Sequence, residues 1–499
     1  MAVAVTLGIA ELAAGVVPLA ASPVIAVGDA VIDRVPGWLK NLAIALFGTS
    51  DKAALILGML LVALGAGAVV GMAARKRFTV AAVAFAGFGL VGVAAAAEDP
   101  RASLGASAVV VALGAAVGLA LLRWLLATAP RAAAADAGGA ARGDRAGRRR
   151  FLRLAGGGLL LAGLGAVTGR WLRTRSVAAL SRERLAVPTV QRTAIAQPTG
   201  ADLGVAGLEP FTTPADRFYR IDTALSAPRV DVDTWRLKVV GMVDRPLTWS
   251  FDDLVGQGLQ EHWTTLCCVS NEVGGKLISN AKWGGVLLSD VLDMAGVQVG
   301  ATQIVGRSVD GWTAGFPTAV AQDGRAAMIA VTMNGEPLPV PHGFPARLVV
   351  PGLYGYVSAT KWLSEIELTT WEAFDAYWVP RGWSKEGPVK TQSRIDVPRP
   401  GSVPAGKVAV AGVAWAQQRG IDRVEVQVDD GPWNEARLGD VPTVDTWRQW
   451  VWEWDATPGS HVLQVRATDG DGATQTSRRA PVQPNGATGY HRVLVQVTA

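Results

Sequence analysis

Long apolar runs free of charge are confined to the first third of this chain, and they restrict its fold more than any other feature. Ala53–Ala74, Phe78–Ala97 and Leu104–Leu122 contain no ionisable side chain. A helix needs about 20 apolar residues to cross the hydrocarbon of a bilayer, so each run is expected to span one. Ala2–Ala26 reads as a further span that contains Glu11, and Leu154–Gly169 as a short, Gly-rich fifth. Trp38, Leu39, Leu42, Ala43 and Leu46 recur at helical spacing beside Asp33, Arg34 and Lys40. That pattern predicts an interfacial amphipathic helix near 31–47.

The remainder has the composition of an aqueous protein. Fifteen of the 18 Trp, both Cys and all four His lie beyond residue 200. Two adjacent cysteines exclude a disulfide scaffold and a four-cysteine zinc site. The net charge of +5 is equalled by residues 129–153 alone, where seven Arg face Asp136 and Asp144. A nucleic-acid surface would spread its cations over a folded face, so no nucleic-acid partner is expected. The excess instead marks membrane topology. Eleven cations fall in one set of loops (Arg75-Lys76-Arg77, Arg123 and the seven Arg) and four in the other (Arg34, Lys40, Lys52, Arg101). The positive-inside rule then places the N-terminus in the cytoplasm of a multi-pass plasma-membrane protein, and the large C-terminal part outside. Glu11 and Asp29 are the acids available for an intramembrane proton site.

The last span follows Gly147-Arg148-Arg149-Arg150-Phe151-Leu152-Arg153. Consecutive arginines, one residue, then Phe-Leu and a weakly apolar stretch resemble a twin-arginine translocation signal, here internal to the chain. That route carries folded proteins, often with a cofactor in place, so the outer part is expected to hold one. Residues 171–205 show no sustained period and read as a tether.

Three later segments carry chemistry. The first is Thr264-Thr265-Leu266-Cys267-Cys268-Val269-Ser270-Asn271, followed by a helix whose Leu288, Val291, Leu292 and Ala295 share one face and which Gly296 can end. The second is His342-Gly343-Phe344-Pro345-Ala346-Arg347, running on to Ala359-Thr360-Lys361-Trp362-Leu363. The third, earlier, is Phe218-Tyr219-Arg220. Their order and spacing resemble the sulfite oxidase family of molybdopterin enzymes over about 206–499, in an actinobacterial-type membrane-anchored form. The resemblance implies an α+β molybdopterin domain over 206–396. It makes Cys268, at the third position of Leu-x-Cys-x-x-Asn, the molybdenum ligand, with a molybdenum–molybdopterin cofactor of one pterin. It assigns pterin contacts to Phe218, Tyr219, Arg220, His342, Arg347, Ala359, Thr360 and Lys361, more weakly to Asp310, and places Arg220 near the metal in a catalytic role. The residue types suit these roles. A soft thiolate binds a thiophilic metal, and an Arg fork with a Lys charge suits a phosphate.

Beyond Val397 the pattern turns to period two. Val424, Val426 and Val428 alternate with polar residues before Asp430-Gly431, a hairpin signal. Leu463, Val465 and Ala467 repeat the pattern, as do Val493, Val495 and Val497. These short strands predict an immunoglobulin-like β-sandwich over 397–499. It resembles the family's dimerisation domain and so implies a homodimer.

The sequence also departs from the family. Glu272 and Val273 stand where sulfite oxidases have Arg, Pro484–Thr488 has none, and Arg220-Ile221-Asp222 replaces Arg-Asn-His. A pocket poor in cations binds a dianion weakly. The expected activity is two-electron oxygen-atom transfer on a small substrate, with an S-oxide or N-oxide reductase as the alternative. A non-catalytic surface module, and a vicinal-thiol protein using Cys267 and Cys268, are the rivals. No haem attachment motif and no histidine in any span are present, so electrons are expected to pass to a separate cytochrome or quinone-linked protein.

Overall fold

In the computed structural model, residues 1–136 and 156–499 are described, apart from 18, 37–38, 40–41, 43–45, 48–50, 159, 161, 170 and 173–176. The twin-arginine motif, and Trp38, Lys40 and Ala43 of the expected interfacial helix, lie outside the described residues. The chain divides into two units: Met1–Ala179 with Thr223–Pro228, and Leu180–Asp222 with Arg229–Ala499.

The first unit is helical: α1 (Ala2–Val16), α2 (Pro23–Arg34), α3 (Asp51–Ala74), α4 (Phe78–Ala97) and α5 (Leu104–Asp136), with α6 at Gly156–Gly169. Among the described residues three helices are long and apolar enough to cross a membrane, within α3, α4 and α5. The expected first span, Ala2–Ala26, is not one helix. α1 ends at Val16, and α2 restarts with Pro23 in its first turn and Ser22 as N-cap, its hydroxyl accepting from Ile25 N–H. Proline has no N–H to continue the earlier helix. Glu11 bridges the break, accepting from the Ser22 hydroxyl (2.6 Å) and Val24 N–H (3.2 Å). Asp29 accepts from Leu225 N–H (3.1 Å). Both acids thus serve backbone joints.

α6 is too short for a comfortable crossing, about 21 Å at 1.5 Å per residue, yet it packs closely. A Cβ on Gly8 would lie 2.5 Å from the Ala162 carbonyl, and one on Gly165 would lie 2.9 Å from that of Gly8. Small residues let the two backbones meet, as in glycine-mediated membrane helix pairs.

The second unit opens with α7 (Val177–Arg184, from Leu180 onward) and is otherwise mostly sheet. One sheet orders β1 (Val190–Arg192), β4 (Leu259–Cys267), β5 (Ile278–Leu287), β8 (Met328–Met333) and β10 (Arg347–Val349), with β9 (Glu336–Pro337) on β8. A second orders β3 (Leu247–Trp249), β2 (Leu237–Gly241), β11 (Leu363–Thr369), β6 (Gln303–Ser308) and β7 (Thr313–Pro317). The expected helix is present at Leu288–Ala295, burying Leu288, Val291, Leu292 and Ala295 and ending at a left-handed Gly296. The first sheet's core joins Leu266, Ala281, Trp283, Met328, Phe344 and Val349, so both chemistry-bearing segments emerge from one packed layer.

Beyond Gln392 two sheets lie face to face. One is β12 (Gln392–Val397), β14 (Gly406–Trp415), β18 (Arg448–Ala456) and β17 (Arg437–Leu438). The other is β13 (Gly401–Pro404), β20 (His491–Thr498), β19 (Gly459–Asp469), β15 (Ile421–Val428) and β16 (Trp433–Glu435). Val424, Val426, Leu463, Val465, Val493 and Val495 meet Val410, Trp450 and Trp454 in one core. The alternating tryptophans of β18 are packing residues. They occupy every second position of a strand whose one face is buried.

Candidate functional site

β4 delivers the cysteines. Cys267 is its last residue, and the chain then turns through a loop that closes on itself. Cys268 N–H donates to Leu277 O (2.9 Å), Asn271 N–H to Cys268 O (3.0 Å), and Leu277 N–H to Asn271 Oδ1 (2.8 Å). The two thiols differ in chemistry. Cys267 Sγ donates to the Cys268 carbonyl (3.5 Å) and so keeps its proton. Cys268 Sγ accepts from Ser270 N–H (3.4 Å), which favours thiolate. Burial raises both thiols, Cys267 well above its ordinary value, while the Ser270 contact pulls Cys268 back. Of the pair, Cys268 is the one suited to give up its proton to a metal. Among the described residues no group of three or more His, Cys, Asp or Glu side chains converges to hold a metal. A metal on Cys268 therefore takes its other ligands from a bound group.

Cations gather on the segment after β9. His342 ends a short 3₁₀ turn, and Gly343 follows at φ 113°. A Cβ at Gly343 would lie 3.0 Å from Arg347 Cβ and 3.2 Å from Lys361 Cα, so glycine lets the Arg and Lys segments close up. Arg347 is buried on β10, donating to His342 O (3.1 Å) and lying over the Trp283 ring at 5.0 Å. It has no carboxylate partner among the described residues, and burial lowers its pKa to about 10. His342 Nε2 faces the Ala215 carbonyl at 2.8 Å. A carbonyl only accepts, so Nε2 bears the proton and Nδ1 is free of it. Burial first, then Arg347, lowers this imidazole to about 4.

Lys361 is buried and donates to Asp222 Oδ2 (2.7 Å) and Pro341 O (3.3 Å). Burial, opposed by Asp222, brings it to about 8. Its neighbour Trp362 has φ 50°, a costly conformation for a bulky residue. Trp362 is held there by Nε1 bonding to Val340 O (2.8 Å) and by packing 4.7 Å under the Lys361 ammonium. Thr360 is spent internally, its hydroxyl on Gly306 O (3.3 Å). Ala359 caps the short helix Gly355–Ser358. Asp310 closes its own turn by accepting from Trp312 N–H (3.2 Å), while Val309 N–H reaches Trp362 O (2.9 Å). The Asp310 turn thus abuts the Lys361–Trp362 edge.

Residues 218–222 link the two halves of the site. Phe218 stacks on Tyr219 (5.4 Å) and meets Trp283 and His342 edge-on (5.5 Å each). The Tyr219 phenol is raised well above its ordinary value, by burial first and then by the neighbouring Cys268 and Cys267 sulfurs, which would repel it once ionised, with Arg347 opposing. Arg220 donates Nε to Asp222 Oδ2 (2.9 Å). Asp222, its side chain only 5% exposed, thus holds both Arg220 and Lys361. Trp362 lies within the second segment and Asp222 two residues after Arg220, yet the motifs give neither a role in holding the lysine. A carboxylate 139 residues from its lysine leaves no local signal.

The result is a cationic cluster, with Arg347 and Lys361 buried beside the polar His342 and Arg220 at its open edge, balanced by one carboxylate and joined to the Cys268 sulfur through Tyr219. Uncompensated buried charge is costly, so such a cluster calls for an anion. A cysteine sulfur next to an anion cradle suits an organic, phosphate-bearing metal cofactor. Residues 224–378 match the family described as an oxidoreductase molybdopterin binding domain. The chain is 35% identical over 159 residues to the uncharacterized oxidoreductase YuiH of Bacillus subtilis, covering 32% of this chain and 76% of that protein. It is 32% identical over 343 residues to human mitochondrial sulfite oxidase, 58% of this chain and 62% of that one. It therefore spans about three fifths of the length of that relative. The crystal structure of the sulfane dehydrogenase SoxCD from Paracoccus pantotrophus shares the fold, with TM-score 0.51 and 24% identity over 58% of this chain and 84% of that chain. The chain belongs to the sulfite oxidase family of molybdopterin oxidoreductases, whose cofactor is molybdenum–molybdopterin. Arg347, with no carboxylate partner among the described residues, and the N–H on Cys268 Sγ fit that group.

The buried imidazole gives a pH prediction for the cofactor-free protein. The unfolded His342 ring protonates near 6.5 and the folded ring only near 4, so the unfolded state binds more protons between these values. Stability is therefore present above pH 6.5 and lost as pH falls toward 4, by about 3 kcal/mol. Urea midpoints at pH 7 and 4.5 should show this loss, and His342→Gln should reduce it.

Proposed function

We propose that this protein is a membrane-anchored oxidoreductase of sulfite oxidase type, with its catalytic unit outside the cell, that performs two-electron oxygen-atom transfer on a small substrate. The buried cation cluster beside Cys268 is the observation that carries this reading. When bound, the molybdenum–molybdopterin group supplies the two-electron couple and the oxygen-atom transfer. The protein's residues bind and orient. Arg347, Lys361 and His342 would take the phosphate-bearing end, and the short Phe218–Tyr219 stack would wall the pterin. Cys268 would hold the metal as thiolate, and Arg220 would meet a substrate oxygen.

The helices support the anchoring. α3 exposes Leu57, Leu61, Val62, Val69 and Met72, an apolar face that lipid would satisfy. With the basic loops inside, α1, α3, α4, α5 and α6 make five crossings, and the short α1 and α6 cross as a glycine-packed pair. Residues 397–499 form an immunoglobulin-like, dimerisation-type domain, and a separate cytochrome or quinone-linked protein exchanges the electrons.

The Asp222 geometry favours a neutral substrate, and with it the S-oxide or N-oxide reductase reading. Arg220, 42% exposed, is the cation of the cluster most open to solvent, and its Nε is occupied by Asp222. A dianion such as sulfite meets a cation already neutralised. Asp222→Asn should lower the KM for sulfite by about tenfold, equivalent to about 1.4 kcal/mol from one freed charge, and change the KM for dimethyl sulfoxide far less. Steady-state assays of the full-length protein with both substrates test this. An unchanged sulfite KM would remove Asp222 from substrate selection, and no turnover of either would count against oxygen-atom transfer.

A further inference from the structure

The loop that presents Cys268 is gripped from outside by the β-sandwich. Arg394 on β12 is buried and donates Nη1 to the Gly275 carbonyl (2.8 Å), while its Nε is fixed by Asp396 (2.6 Å). His491, first residue of β20, accepts Ile395 N–H at Nδ1 (3.0 Å). That bond orients its ring against Gly274, where a Cβ would overlap the imidazole. Gly274 stands at φ 80°, so this position needs glycine twice, for its backbone angle and for the ring above it.

The two grips fall at the far end of the Cys268–Leu277 loop. The near end is closed by Cys268 N–H on Leu277 O and by the Asn271 side chain. Between them lies Ser270, whose N–H is the donor on Cys268 Sγ. A loop tied only at its base can rotate its interior amides away. Tied at base and tip, it cannot. The contacts are backbone-directed, so they fix position without touching the sulfur.

We infer that Arg394 and His491 are positioning residues: the sandwich sets the geometry of the Cys268 loop and so keeps the Ser270 N–H on the ligand sulfur. The inference rests on the reading above only in taking Cys268 as the metal ligand. It gives the sandwich a task within its own chain, whether or not two chains associate.

The test uses the full-length protein carrying His491→Ala, Arg394→Gln or Arg394→Lys. Amide hydrogen exchange at residues 270–277 should speed up by about tenfold or more in the first two variants, while β14 and β18 keep their protection. In the loaded protein the sulfur-to-metal charge-transfer absorption should shift with molybdenum content unchanged. Arg394→Lys, which can still donate to Gly275 O, should restore both signals. Unchanged exchange in the loop, or equal acceleration throughout the sandwich, would overturn the inference. Wild-type protein without molybdenum would defeat the ligand assignment instead, and the exchange comparison would still decide the grip.

Discussion

Replacing Cys268 by Ser is expected to abolish molybdenum-dependent activity in the full-length protein, with a larger loss than the roughly 10- to 100-fold that removal of a supporting partner costs. The oxygen of Ser is harder and far less acidic than a thiol, so it suits a thiophilic metal poorly. Replacing Cys267 should leave loading close to wild type. Its thiol donates a proton to the Cys268 carbonyl and burial holds it neutral, so it is a packed neighbour one residue out of place. Metal content and the sulfur-to-metal absorption, measured on both variants, separate these outcomes. Equal damage from both would mean that the loop, and not one sulfur, is what the site requires.

Arg347→Met should part cofactor binding from stability. In the cofactor-free protein Arg347 is a buried cation with hydrogen bonds to carbonyls alone, and its lowered pKa records the cost of burial. Replacing such a charge with an apolar side chain of similar length is often neutral or stabilising, so the apo melting temperature should hold or rise. Binding should weaken by about 2–5 kcal/mol, the usual effect of truncating one partner of a buried charge pair. The holo protein would then lose the stabilisation that a tight ligand confers. A variant that melts lower while keeping its pterin would make Arg347 a structural residue.

What the sequence made legible was what lies close together in the chain. Cys268 with Asn271, and His342 with Arg347, sit within a few residues of each other and carry their own pattern. The apolar runs of α3 to α5 were equally plain, because a charge-free stretch that long has few uses. The core valines of β15, β19 and β20 were visible through strict alternation. Contacts made at long range were not legible. Asp222 reaches Lys361, and Arg394 reaches Gly275, across 139 and 119 residues, and no spacing rule records such pairs. The break between α1 and α2 was hidden for another reason. Hydropathy stays high through Ala20-Ala21, so only the Ser22-Pro23 start signal and the Glu11 bridge mark it. Arg220 and Asp222 stand two residues apart, so their pairing was within reach of the sequence; that the same carboxylate also takes Lys361 was not.

The most direct test of the account is the amount of molybdenum and pterin in the full-length wild-type protein, purified from a host that makes the cofactor. The buried cations and the Cys268 sulfur predict about one molybdenum and one pterin per chain. Correctly folded protein that carries neither would contradict it, and would leave Arg347 and Lys361 as buried charges awaiting some other anion.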